Sequence, residues 1–558
     1  MMRRSSLPVL LVVALVASAC ATSADSEPIP FEEAQDNLTK LVDDIGWTEN
    51  PVTRAATVEF NDVELSDTLP PITEFPIVVE AAGGGVSVEI FTSTEKSGSG
   101  TDGWMVEVAE EFNRSGAVLN DGRTAQVEIR KIPSGTAYEF IAAGRDLADA
   151  ISPSNQLWIE MAATHQPMSE VTDSLVPNVA GIVMKSAKAE ELRAAYGTLD
   201  AAALIEAVIA GDVVMGYTDP FASSTGLNFL LTVLDEFADG DESRLVADDV
   251  ASVFEQFQQR VPFVALTTIQ MRESVERESG TLDAFVMEWQ TYTKTESLQS
   301  GFEFIPFGVR HDNPLYAIGD PGPEKLDVLR QFADFARGAR GQDLAREYGF
   351  DPPAYTSDVA VPSGATLIKA QRLWKEKKEG GRPVAAVFVT DVSGSMIGTR
   401  IQSVQRALLS AREFIKPDAS VGMVEFNDRV SLRLPIKPFD LNQQARFVAA
   451  IEDMEAAGGT AMYDGVLLGL SMLLEQRAAD PDTRLLLIVL TDGETMDGFE
   501  FGDVSETIQG LRIPVYTVGF EANVDELSRL SSLVEAASIN ANEEDVEFKM
   551  SALFNAGV

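Results

Sequence analysis

The chain has 558 residues, hydrophobic residues make up 45% of it and charged residues 23%, which is the composition of a soluble multidomain globular protein rather than a disordered or fibrous one. Eighty-seven acidic against 43 basic side chains give a formal charge of −44, which repels nucleic acid and anionic lipid headgroups over most of the surface and excludes nucleic acid as a partner. With one cysteine and two histidines, the chain holds no intrachain disulfide, no four-ligand Cys/His zinc site and no cysteine-ligated iron–sulfur cluster.

The chain opens with Arg3 and Arg4, an apolar stretch from Leu7 to Ala17 and a small-residue run that ends at Cys20. Eleven apolar residues fall short of the ~20 that span a bilayer. The segment resembles a bacterial lipoprotein signal, with Ala17 where leucine is preferred. That resemblance implies removal of residues 1–19, lipidation of Cys20, and an extracytoplasmic protein that meets the membrane through its lipid anchor only.

Residues 20–85 read as a tether and small preamble. Phe31 to Ile45 has the periodicity of one amphipathic helix, Val58 to Leu65 and Ile77 to Val79 alternate like short strands, and Gly83-Gly84-Gly85 marks a boundary. From Val86 the pattern alternates strand and helix: strand 86–91, helix 104–112, strand 125–132, helix 135–143, then strands near 179–184, 213–217 and 263–266 with helices 187–196 and 226–237 between them. This βαβ order predicts parallel sheets, and the block to residue 350 is long enough for two α/β lobes. Residues 351–382 read as a proline-rich linker and a connecting helix. A last domain, 383–558, begins with the apolar strand 385–390, and strand 485–490 has the same doubly buried character.

Hydroxyl-rich turns follow several strands of the middle block. Ser93 and Lys96 lie in one, Ser134 in a second, Ser152 and Ser154 in a third. Asp219, Ser223, Ser224 and Thr225 precede the apolar helix that runs to Phe237. Such turns either cap helices or present hydroxyls and free N–H groups to a small polar or anionic solute. Lys96 is the natural counter-charge for an anion, although a lysine in a turn is ordinarily solvated. The two-lobed length and these turns resemble the extracellular solute-binding proteins over residues 86–350. His165 and His311 belong to no catalytic motif and read as structural or surface residues, and Trp104 reads as core.

In the last domain, Asp391, Ser393 and Ser395 form a DxSxS loop directly after a strand. Thr460 follows on a glycine loop at a helix start, and Asp492 follows the second apolar strand. Loops at the carboxyl ends of parallel strands are where open α/β sheets bind ligands. These three pieces, in this order, resemble the metal-ion-dependent adhesion site of the von Willebrand factor A domain. The resemblance implies a Rossmann-like fold of mostly parallel strands and a set of oxygen ligands suited to Mg²⁺ or Mn²⁺. It also implies an open coordination position filled by a carboxylate from a partner protein. Asp464 reads as a loop stabiliser. Taken together the sequence predicts an α/β protein, a two-lobed periplasmic-binding-protein-like module followed by the A domain, with a binding rather than enzymatic role. The competing expectation is a solute receptor of an ABC-type transport system with the A domain as docking element.

Overall fold

Apolar residues on both faces of the last domain's strands demand cover on both sides, and the computed structural model shows how it is supplied. The structure describes residues 29–58, 69–261, 282–493 and 495–520, with the short pieces 263–265, 268, 271–272, 527, 529–531, 533, 538–540 and 550. Cys20 and its signal segment, and all but the first residue of the strand expected at 58–65, lie outside the described residues.

Three sheets form. The C-terminal sheet has the order β1 (Trp47–Glu49), β15 (Val430–Pro438), β14 (Ser420–Phe426), β13 (Val384–Asp391), β16 (Arg484–Thr491), β17 (Val515–Gly519) and β18 (Ser538–Asn540). The strands from β14 to β18 in that order pair in parallel, and β15 runs antiparallel to β14. The period-two alternation of the central strands divides their side chains between two cores. Ala386, Phe388, Leu486 and Ile488 pack on one face with Val404, Leu408 and Phe447, whereas Val387, Val389, Leu487 and Val489 pack on the other with Val466, Leu470 and Ile508.

Part of the N-terminal stretch joins this second face. Helix α1 (Phe31–Asp44) buries Ala34 and Leu38 there, against helix Phe501–Leu511. Gly510 permits the approach, since a Cβ at that position would lie 2.7 Å from Ala34 Cβ. β1 then pairs with β15, and Arg54 bonds Glu452 and Asp453 at 2.8 Å each. Residues 29–58, expected as tether and preamble, are therefore an integral layer of the C-terminal body.

The chain next builds two lobes. The first has the sheet order β2 (Ile77–Val79), β4 (Ala125–Lys131), β3 (Val86–Thr92), β5 (Ala150–Ser152), β12 (Leu315–Ile318), β6 (Met168–Thr172). The second has the order β11 (Phe302–Pro306), β7 (Ala180–Lys185), β10 (Ala284–Glu288), β8 (Met215–Thr218), β9 (Phe263–Ala265). The chain crosses between lobes after β6 and returns after β11. Both sheets are mixed rather than parallel. β2 and β12 run antiparallel to their neighbours in the first, as do β7 and β11 in the second. β2, expected ahead of the glycine boundary, is hydrogen-bonded to β4 and belongs to the first lobe.

Helix Gly364–Lys377 connects the lobes to the C-terminal body. It packs on helices Leu157–Ala162, Ser224–Phe237 and Asp248–Gln258, and its buried Trp374 donates to Tyr217 Oη at 2.6 Å. Immediately beyond it the buried Glu379 pairs with Lys378 (2.9 Å) and with Arg484 (2.8 Å) at the start of β16. Burial alone would raise the Glu379 carboxyl, but these two cations hold it at about 2. No helix among the described residues is long and apolar enough to cross a membrane.

Candidate functional sites at two sets of strand ends

β13 and β16 end side by side at the carboxyl edge of the parallel sheet, so Asp391 and Asp492 emerge together. The Asp391 carboxylate is fully buried and held by two donors. Ser393 N donates to Oδ1 at 2.8 Å and Thr491 Oγ1 donates to Oδ2 at 2.5 Å. Burial raises its carboxyl above the ordinary range, and the charge of Asp492 adds to the shift. Ser393 Oγ lies 2.9 Å from the exposed Ser395 Oγ. The glycine loop is bonded into the same cluster: Gly394 N donates to Gly458 O (2.9 Å) and Ala457 N to Val392 O (2.8 Å). Met496 N and Asp497 N donate to Thr460 O, which places the third loop against the second. Asp492 Oδ2 accepts from Arg400 at 3.3 Å, whereas its Oδ1 is buried with no hydrogen-bond partner among the described residues. Asp464 accepts from Phe499 N at 2.9 Å and ties the head of helix Met462–Ala479 to the third loop.

The middle block's hydroxyl turns also converge, at the junction of the lobes. Lys96 is buried and its Nζ donates to Ser93 Oγ (2.9 Å), Ser152 O (2.7 Å), Pro153 O (3.2 Å) and Asn313 Oδ1 (3.0 Å). Burial pushes the ammonium down to about 7 while Glu288 and Glu95 pull the other way. Ser154 Oγ donates to Ser93 Oγ at 3.3 Å. Across the junction, Ser223 caps helix Ser224–Phe237 by accepting from Gly226 N (3.4 Å). Ser224 Oγ accepts from Trp158 Nε1 (3.0 Å), and Thr225 Oγ1 from Thr268 Oγ1 (3.3 Å). Asp219 accepts from Phe221 N at 2.7 Å, and burial lifts its carboxyl to about 7. The lobes approach so closely at Gly135 that a Cβ there would lie 1.9 Å from Phe221 O. Ser134 Oγ and Ser152 Oγ are buried without a hydrogen-bond partner among the described residues.

The von Willebrand factor type A domain family matches residues 386–555, and the bacterial extracellular solute-binding protein family matches residues 97–351. The chain carries an extracellular solute-binding module and a C-terminal A domain. A similar curated protein is inter-alpha-trypsin inhibitor heavy chain H3 of Bos taurus, 30% identical over 154 residues, which covers 26% of this chain and 17% of that relative. Among solved structures, a von Willebrand factor type A protein from Catenulispora acidiphila covers 32% of this chain and 43% of its own, at 20% identity and a TM-score of 0.27. The sulfate-binding protein SubI from Mycobacterium tuberculosis H37Rv covers 50% of this chain and 96% of its own, at 16% identity and a TM-score of 0.35. Both matched families are binding domains, no catalytic family is matched, and the extracellular class of the solute-binding family points to an extracytoplasmic location.

The five A-domain residues singled out by motif lie on three mutually bonded loops. The solute-binding candidates lie on both sides of the lobe junction, with one correction: Lys96 is not a solvated turn lysine, because the lobe supplies it with four acceptors. His165 is exposed and Trp104 is core, with its Nε1 donating to Gly341 O at 3.3 Å. His311 carries more than its sequence context signals. It is fully buried, its Nε2 lies 3.0 Å from Asn155 Nδ2 and 3.1 Å from Asn228 Nδ2, and its Nδ1 lies 2.8 Å from Glu288 Oε1. The Asn228 amide is oriented by Val309 N and Val309 O, so Nε2 is the acceptor and Nδ1–H donates to Glu288. None of these partners is near His311 in sequence, and no local signal could have found them.

Proposed function

We propose that this protein is an extracytoplasmic, lipid-anchored binding protein whose A domain engages a partner protein through a divalent cation. The observation that carries this reading is the buried Oδ1 of Asp492, which has no hydrogen-bond partner among the described residues and lies on loops shared with Asp391, Ser393, Ser395 and Thr460. A buried carboxylate oxygen without a donor is costly, and a cation is the partner that such an acceptor-rich group lacks. The donors are all hard oxygens, which fits Mg²⁺ or Mn²⁺. Asp391, Ser393, Ser395, Thr460 and Asp492 would hold the ion, which when bound supplies an open position for a partner's carboxylate. Ser393 N and Thr491 Oγ1 keep the Asp391 carboxylate in place, and the exposed Ser395 puts the loop within reach of solvent. Cys20 carries the lipid in this reading. Cys20→Ser should release the protein from the membrane fraction, and a soluble wild-type protein would refute the anchor.

The metal is tested on the full chain. At about a hundredfold over its dissociation constant, Mg²⁺ should stabilise the A domain by ~2.7 kcal/mol. That corresponds to a rise of roughly 5–10 °C in its unfolding transition, which Asp391→Ala should erase. Equal melting in Mg²⁺, Mn²⁺ and chelator, with no heat of binding in calorimetry, would refute the site. The solute-binding module supports a second role as receptor for a small polar or anionic solute in an ABC-type transport system; Ser134 Oγ and Ser152 Oγ, buried without partners among the described residues, favour it.

A further inference from the structure

Two large apolar side chains stand on the metal-site loops in a position that packing does not explain. Ile397 is 68% exposed and Met496 is 73% exposed, the two most exposed large apolar residues among those described. Exposed apolar groups are ordinary when scattered singly. These two occupy matching places, one at the end of the Asp391–Ser395 loop and one four residues beyond Asp492. Both are tied to the loop that carries Thr460. Ile397 N donates to Gly394 O (3.3 Å), Gly394 N donates to Gly458 O (2.9 Å), and Met496 N donates to Thr460 O (2.9 Å). Gly398, at φ +95°, turns the chain into helix Thr399–Ala411 directly after Ile397, a backbone conformation that leaves the isoleucine outside the helix's buried face. The backbone bonds hold two apolar residues on the first and third loops of the candidate site.

The charge around them narrows the partner. A Cβ on Gly458 would lie 2.4 Å from Asp428 Oδ1, and one on Gly459 would lie 1.8 Å from Asp497 Oδ2, so two exposed aspartates border the second loop. With the chain at −44 overall, a run of acids on a partner would be repelled everywhere except at the cation itself. We infer that Ile397 and Met496 are specificity-determining contacts for a protein segment that presents a single carboxylate flanked by large apolar side chains. The carboxylate meets the cation, the apolar neighbours cover Ile397 and Met496, and burial of those two residues supplies affinity that a bare carboxylate lacks. Methionine, unbranched and polarisable, adapts to more than one apolar neighbour. This inference rests on the cation-dependent reading given above.

The test uses the immobilised full chain, panned against a random peptide library in Mg²⁺ and in parallel in EDTA, with Mg²⁺ binding followed separately by calorimetry. Peptides recovered only in Mg²⁺ should carry one Asp or Glu next to Leu, Ile, Met or Phe. The variant Ile397→Ser with Met496→Ser should bind Mg²⁺ as the wild type does yet bind those peptides at least about tenfold more weakly. Recovered acids without apolar neighbours, or unchanged peptide binding by the double variant, would overturn the inference and leave the metal site standing. Measurable Mg²⁺ binding with no Mg²⁺-dependent peptide overturns it as well. No Mg²⁺ binding at all overturns both the inference and the reading beneath it.

Discussion

Two hydroxyl-rich clusters sit at the carboxyl ends of parallel strands in this protein, and they differ in how far the fold satisfies their side chains. At the lobe junction most candidate groups are matched, some by distant segments and some by near neighbours, while Ser134 Oγ and Ser152 Oγ stay buried without a partner among the described residues. Lys96 meets four acceptors, Trp158 serves Ser224, Gly226 N serves Ser223, and Phe221 N serves Asp219. At the edge of the A-domain sheet Ser395 is an exposed residue and one oxygen of the buried Asp492 has no donor among the described residues. Serine, threonine and aspartate after a strand therefore do not by themselves distinguish a ligand site from an interior polar network. The distinction is whether the rest of the fold brings donors to them, because a satisfied group gains little from a ligand and an orphaned one gains much.

The largest test of this contrast is Lys96→Met, which leaves Asn313 Oδ1, Ser93 Oγ and two backbone carbonyls without their donor. It should cost about 3–5 kcal/mol in urea unfolding. If Lys96 instead waits for an anionic solute, the substitution should cost little stability and abolish solute-induced stabilisation.

Asp219 tests the same junction through pH. Its folded-state pKa is raised by burial from 3.8 to about 7, so between those values the folded chain keeps a proton that the unfolded chain has released. Its contribution to stability is thus present below about pH 4 and is lost as pH rises towards 7. Asp219→Asn retains the acceptor for Phe221 N, and should remove that slope and stabilise the protein at pH 8 by up to a few kcal/mol. An unchanged slope in the variant would show that Asp219 is not the group responsible.

The smallest effect concerns Arg400, whose guanidinium reaches Asp492 Oδ2 at 3.3 Å and Ser395 O at 2.8 Å. Part of the charge that a divalent ion would neutralise is already met by this side chain. Arg400→Ala should tighten Mg²⁺ binding by about two- to fivefold, the scale of a partly exposed ion pair. Weaker binding in calorimetry would mean that Arg400 organises the loop rather than competing for it.

Local pattern in the sequence was sufficient for the α/β class, for most strands and helices, and for the placing of Asp391 and Asp492 at the ends of two neighbouring parallel strands. Period-two apolar runs and strand-end motifs are written over a few consecutive residues, and the doubly apolar strands 385–390 and 485–490 could bury both faces only in a layered sheet. Tertiary structure alone decided which polar groups are used up and which remain open. Lys96 finds Asn313, His311 finds Glu288 and Asn155, and α1 finds the helix Phe501–Leu511, in each case between segments far apart in the chain. No residue within a local window carries a trace of such a partner. The mixed direction of the lobe sheets has the same origin, because it depends on which edge of a sheet each strand joins, and βαβ periodicity does not record that. Burial of Lys96 follows from this: a lysine in a turn is solvated by default, and it becomes an interior donor only when folding closes four oxygen acceptors around its ammonium group.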